Sequence, residues 1–158
     1  MPASKYVTLN TGAQMPTLGL GTWHPGGPGT VEQAVEVALK HGYRHLDTAQ
    51  AYSNERQVGE GIKRSGVPRE EIFLTTKLNN TEHADPLAAL QKSLAALDTP
   101  YVDLWLMHWP CPVKDRKPDR SLNWLDTWKV MEAVLEAHPD KVHAIGVSNV
   151  SAPFLGSS

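Results

Sequence analysis

The sequence predicts an α/β fold built on a parallel sheet. Two observations carry this. Five short runs rich in β-branched, aromatic and leucine residues recur after the first sixteen positions. Each gap between them holds a segment whose apolar residues repeat at helical spacing. Strands that alternate with helices form parallel sheets, and each crossover is right-handed. A length of 158 residues suits one domain, residues 1–158.

The elements follow in order. "KYVTLNTGAQMP" has two short apolar runs around a turn-rich "NTGAQ", which predicts an N-terminal β-hairpin. "LGLGTW" is the first run of the sheet. "TVEQAVEVALKHG" is a helix with Val31, Ala34, Val35, Ala38 and Leu39 on one stripe. Thr30 with Gln33 forms a capping box there, and Gly42 takes the left-handed stop. "YRHLDTA" (43–49) is a strand, and "SNERQVGEGIKRSG" (53–66) is a helix capped by Ser53 or Asn54 and stopped by Gly66.

"IFLTTKL" (72–78) is a strand on β propensity. The next helix opens with Asp85 as cap and Pro86 at its first position, and buries Leu87, Leu90, Leu94 and Leu97. "YVDLWLMHWP" (101–110) is a strand, "KDRKPDR" (114–120) a solvated loop, and the helix after it aligns Trp124, Trp128, Met131 and Leu135. "VHAIGVSN" (142–149) is the last strand. In "VSAPFLGSS" Pro153 and Gly156 argue against a helix. Two architectures fit this order, an open doubly wound sheet and a piece of a (β/α) barrel. The glycine-rich dinucleotide fingerprint of the first is missing, since Gly19 and Gly21 have no third glycine three positions on.

The bulk numbers exclude several functions. A net charge of −2 gives no basic field for nucleic acid. No run approaches a membrane span, and "MPASKYV" lacks an apolar signal region. Cys111 is the single cysteine, so no intrachain disulfide forms. A reducing, cytoplasmic setting is expected.

Strand parity singles out four polar residues. Alternate residues of a strand share a face. Tyr43, His45 and Asp47 share one, as do Phe73, Thr75 and Lys77, and Leu104, Leu106 and His108. Three consecutive strands therefore deliver Asp47, Lys77 and His108 to their C-terminal ends, and Tyr52 lies in the turn after Asp47. That end is where parallel α/β folds build sites. Taken singly, each has a bland role: a turn cap, a snorkelling lysine, a core histidine, a loop aromatic. Independent surface residues have no reason to converge, so their joint placement favours a site.

The chemistry of such a site can be stated. A free phenol titrates near pH 10. A nearby ammonium stabilises the phenolate, a carboxylate fixes the ammonium, and an imidazole hydrogen-bonds a substrate oxygen. Together they donate a proton to a polar carbonyl. A rival reading, with His45, Asp47 and His108 as ligands of a hydrolytic zinc, leaves Tyr52 and Lys77 without a role.

The motifs "PTLGLGTW" (16–23), "GYRHLDTAQAYSNERQVGEGI" (42–62), "IFLTTKL" (72–78), "YVDLWLMHWP" (101–110) and "TWKVMEAVLEAHPDKVHAIGVSN" (127–149) resemble the aldo-keto reductase superfamily. The resemblance implies a (β/α)8 TIM-barrel fold closed at its base by the hairpin. It implies NADP(H)-dependent reduction of aldehydes or ketones to alcohols, with no metal. Carried over by position, Tyr52 is the general acid, Lys77 eases its proton release, Asp47 pairs with Lys77, and His108 orients the carbonyl. Trp23 and Trp109, with Tyr52 and His108, line the substrate pocket. Gly21, Thr22, Asp47, Ser148 and Asn149 lie on the cofactor side, the last two at the nicotinamide carboxamide.

The family barrel has eight strands, and this sequence supplies about five. The expectation is a partial barrel, incomplete at its C-terminus, with self-association through unpaired sheet edges. A truncated, catalytically impaired fragment acting through another copy or a full-length relative is the alternative reading.

Overall fold

The computed structural model describes residues 5–23 and 29–156. The expectations for the extreme N-terminus and the last two residues lie outside them. Strands β1 (Tyr6–Thr8) and β2 (Gln14–Pro16) pair antiparallel as the expected hairpin. Five strands then form one sheet, all parallel: β3 (Leu20–Gly21), β4 (His45–Asp47), β5 (Phe73–Leu78), β6 (Leu104–Met107) and β9 (Ile145–Val147), in that spatial order. Helices α1 (Thr30–Lys40), α2 (Glu55–Ser65), α3 (Pro86–Leu97) and α4 (Trp124–Ala137) fill the crossovers.

The core lies between the sheet and these helices. Leu46, Leu74, Leu78, Trp105 and Met107 point to that side and are fully buried. They meet Val35 and Leu39 of α1, Val58 of α2, Leu90 and Leu97 of α3, and Met131 of α4. The opposite parity of β4, β5 and β6 carries His45 and Asp47, Thr75 and Lys77, and Leu106, in register across the sheet.

Several local expectations are corrected. The strands are shorter than their sequence runs. In the 101–110 run the ladder is interrupted at Asp103, whose carboxylate takes the Leu74 amide at 2.9 Å in place of a backbone carbonyl. Thr30 is not the cap of α1: Gly29 holds that position at φ 91°, and Thr30 falls inside the helix. Asn54 caps α2 without a side-chain bond to the helix, because its amide is used elsewhere. Ala34 is exposed rather than buried, at the rim of α1 beside β3. The 114–120 loop is exposed but ordered into a small hairpin, β7 (Val113–Lys114) with β8 (Lys117–Pro118), turned by Asp115 and Arg116 at positive φ. A short helix, α5 (Ala152–Gly156), starts where none was expected, and Pro153 sits in its first turn, where proline costs little. Asp85 caps α3 as expected, accepting from the Ala88 amide at 3.0 Å.

Helix α2 fits between its neighbours only because of two glycines. A Cβ on Gly59 would lie 2.4 Å from the Leu97 carbonyl oxygen, and one on Gly61 would lie 2.6 Å from Val35 Cβ. A backbone oxygen cannot rotate aside as a side chain can. Gly59→Ala is therefore expected to cost about 1–3 kcal/mol of stability, read as a lowered urea midpoint.

Candidate active site

Lys77, next to last in β5, is the hub. Its ammonium is buried and donates to three oxygens: the Asp47 carboxylate, the Thr48 carbonyl at 2.9 Å and the Tyr52 hydroxyl at 3.3 Å. An ammonium has three donors, so none is stranded, which is what permits its burial. Asp47 ends β4 on the adjacent strand, and the shared parity of the two strands makes the pairing.

Tyr52 closes a short 3-10 turn, residues Gln50–Tyr52, directly after β4. Ser53 follows at φ 57° and redirects the chain into α2. His108 follows β6. Its ring meets the Tyr52 ring edge to face, centroids 5.6 Å apart and planes at 79°. Its carbonyl accepts from the Asn149 amide at 2.9 Å, and the Ser148 amide donates to the Met107 carbonyl at 2.9 Å. All four expected catalytic residues thus lie together at the C-terminal mouth of the sheet, with Ser148 and Asn149 one strand further on.

The other expected residues divide. Gly21 lies opposite Asp47 in the sheet, and the Thr22 amide donates to the Asp47 carbonyl at 2.9 Å. Thr22 is buried and its hydroxyl has no hydrogen-bond partner. The two tryptophans are not packed against the cluster as walls: Trp23 is 73% exposed and Trp109 46% exposed.

Sequence reading missed the residues that hold the turn. The Asn54 amide donates to the Thr22 carbonyl at 2.7 Å and accepts from the Thr48 hydroxyl at 3.4 Å. It ties the loop after β4 to the loop after β3. Asn54 reads as a helix cap in sequence, and nothing local reveals the longer reach. His83 is a second omission. It is buried, its Nδ1 lies 3.2 Å from the Thr127 hydroxyl, and it sits against the backbone of Trp109.

Burial is the chief cause holding three imidazoles, His45, His83 and His108, below the ordinary histidine pKa. For His108 the Lys77 charge adds to burial, and Asp47 opposes it. The imidazole beside Tyr52 is therefore neutral at pH 7. A histidine whose folded pKa is depressed binds its proton more readily when unfolded. Stability therefore rises with pH up to about 6.5 and is lost below it, as the unfolded chain takes up protons the native state refuses. Urea midpoints at pH 7.5 and pH 6 are expected to fall in that order. His83→Gln is expected to flatten the difference.

Among the described residues no group of three or more His, Cys, Asp or Glu side chains is placed to hold a metal ion. Both His45 nitrogens are engaged instead, Nδ1 with the Pro16 carbonyl and Nε2 with the Thr75 hydroxyl, each at 3.1 Å.

Fold and site together define a parallel β/α-barrel protein with an Asp–Lys–Tyr–His cluster at its strand mouths. The chain belongs to the Aldo/keto reductase family, whose model matches residues 17–154. An aldehyde reductase of Saccharomyces cerevisiae is 46% identical, over 94% of this chain and 53% of that protein. A glycerol 2-dehydrogenase (NADP(+)) of the same yeast is also 46% identical, with the same coverage of 94% and 53%. The crystal structure of a Bombyx mori aldo-keto reductase in complex with NADP superposes with a TM-score of 0.88 at 40% identity, covering 96% of this chain and 52% of that one. The chain spans about half the length of the curated relatives it matches. Its five parallel strands are accordingly part of the family's barrel fold.

Proposed function

We propose that this chain carries the catalytic centre of an NADP(H)-dependent carbonyl reductase, converting aldehydes or ketones to alcohols. The observation that carries the reading is the Lys77 ammonium, shared between the Asp47 carboxylate and the Tyr52 phenol at the strand mouths. NADPH, when bound, supplies the hydride. The residues that would hold it are Gly21, Thr22, Asp47, Ser148 and Asn149, and the placement of Asn149, at φ 59° with its amide on the His108 carbonyl, supports that fit.

The chain's own part is proton transfer and orientation. Tyr52 gives its hydroxyl proton to the carbonyl oxygen as the carbonyl carbon is reduced. Lys77 stabilises the phenolate left behind, and solvent returns the proton. Asp47 keeps Lys77 aimed at the phenol. Neutral His108, at the edge of the Tyr52 ring, donates an N–H to the same substrate oxygen. Trp23 and Trp109, both exposed, are the side chains offered to the apolar part of the substrate.

Consumption of NADPH by the purified chain with 4-nitrobenzaldehyde tests the reading. Turnover above the rate without protein is expected. A folded chain that binds NADPH and leaves the aldehyde untouched would overturn it.

We read residues 1–158 as belonging to one barrel domain, placed in the cytoplasm on its single thiol, Cys111. Among the described residues no helix is long and apolar enough to cross a membrane. A second reading concerns assembly, and one observation favours it. Strands β3 and β9 are the two edges of the sheet, and beside β9 an open apolar hollow is lined by Trp124, Trp128, Val147 and Leu155. Two copies pairing through such edges would cover them. Light scattering is expected to give a dimer that Val147→Lys converts to monomer. A wild-type monomer with native near-UV dichroism counts against the pairing.

A further inference from the structure

We infer that Glu55 is a positioning residue that latches the Tyr52 turn to the strand carrying Lys77, setting the phenol–ammonium distance; this rests on the reductase reading above.

Glu55 opens α2 and is buried, only 6% exposed. The Thr76 hydroxyl donates to its Oε1 at 2.6 Å, and Ser93 of α3 hydrogen-bonds the same carboxyl. Both partners are themselves buried, Thr76 at 0% exposure and Ser93 at 1%. Burial raises the carboxyl's pKa, and the two hydroxyl donors act against that rise. One carboxyl therefore joins three elements, α2, β5 and α3.

The two ends of the Glu55–Thr76 bond explain its place. Thr76 is the chain neighbour of Lys77. Its side chain points to the helix layer while that of Lys77 points to the site. Glu55 is three residues beyond Tyr52, across the left-handed Ser53. Phenol and ammonium are thus fixed from behind the sheet by a single short hydrogen bond. On the other side, Asn54 ties the same turn to the Thr22 carbonyl.

A purely structural role would be served as well by an apolar residue. Leu74 and Leu78 flank Thr76 on the same side of β5 and fill their space without a polar group. A buried carboxyl costs desolvation that an apolar side chain does not. What it adds is direction: a hydrogen bond fixes the rotation of α2 against β5, where apolar packing permits sliding. Van der Waals contact leaves freedom of tenths of an ångström, and proton transfer is sensitive to that.

The test compares Glu55→Ala, Glu55→Gln and Thr76→Val in the full 158-residue chain. Proton NMR with labelled aromatic rings reads the Tyr52–His108 ring contact, and the Tyr101–His143 stack at 4.5 Å serves as a reference at the opposite end of the strands. Glu55→Ala is expected to lose the first contact and keep the second, and Glu55→Gln to keep both. In parallel, kcat for aldehyde reduction is expected to fall by about tenfold or more in Glu55→Ala with KM little changed, and to recover in Glu55→Gln. An unaltered Tyr52–His108 contact in folded Glu55→Ala overturns the inference, and so does a loss in Glu55→Gln equal to that in Glu55→Ala. If Glu55→Ala unfolds, Thr76→Val decides, with loss of the ring contact supporting the latch and an intact contact rejecting it. Absence of turnover in the wild type would reject the reductase reading, while the ring contacts still decide the latch.

Discussion

Tyr52→Phe is expected to abolish carbonyl reduction, with kcat/KM falling by about 10²–10⁴ or more, while NADPH affinity holds. The substitution is clean in this site. Phenylalanine keeps the ring and its edge contact with His108, and only the hydroxyl is removed. Lys77 keeps its bonds to Asp47 and to the Thr48 carbonyl, so its charge is not stranded. The stability change is correspondingly small, since the lost hydrogen bond is 3.3 Å long and Tyr52 is only half-buried. Quenching of tryptophan fluorescence by NADPH checks binding, and NADPH consumption with 4-nitrobenzaldehyde checks turnover. If Tyr52→Phe keeps more than a tenth of wild-type activity, the proton comes from elsewhere, and His108 is then the remaining group at the substrate oxygen.

Much of this site is legible because strand parity is a rigid rule. A residue two positions along a strand must share the face of the first, so Asp47 follows from His45 and Lys77 from Thr75. Parallel pairing then sets both at one end of the sheet. No knowledge of side-chain packing is needed for that step. The Tyr52 turn is also readable, because five residues cannot travel far from the strand end they leave.

What is not legible depends on distances between segments far apart in sequence. The Asn54 amide reaches Thr22, thirty-two residues away, and the Glu55 carboxyl reaches Thr76, twenty-one away. In sequence both look like the first turn of an amphipathic helix. One signal was available: Thr76 is a hydroxyl on a face otherwise given to Leu74 and Leu78, and a polar side chain buried there needs a partner. The small hairpin of β7 and β8 escaped for a different reason. Asp115 and Arg116 both adopt positive φ without glycine, so the usual marker of a tight hairpin turn is missing. Helix α5 escaped because proline inside a helix and proline in its first turn look alike until the start of the helix is known.

The two halves of the Asp47–Lys77 pair are expected to respond unequally to removal, and the larger cost falls on losing the more exposed partner. The Lys77 side chain is 6% exposed and that of Asp47 37%. Asp47→Ala leaves a buried ammonium with only the Thr48 carbonyl and the Tyr52 hydroxyl as protein partners. The expected cost is about 1–3 kcal/mol. Lys77→Met instead fills the buried space with an apolar chain of similar length, leaving a carboxylate that water can reach and a Thr48 carbonyl without its donor. Its expected cost is about 1 kcal/mol, chiefly the Thr48 hydrogen bond. Both variants should lose activity by about 10²–10³ or more, because each removes or misaims the charge beside the phenol. Activity and stability are thus predicted to part company in Lys77→Met and to fall together in Asp47→Ala. Adding Lys77→Met to Asp47→Ala should restore most of the lost stability and none of the activity. Urea denaturation at pH 7 of the two single variants and the double variant checks this. A Lys77→Met midpoint below that of Asp47→Ala would mean that the ammonium anchors the turn by more than its charge.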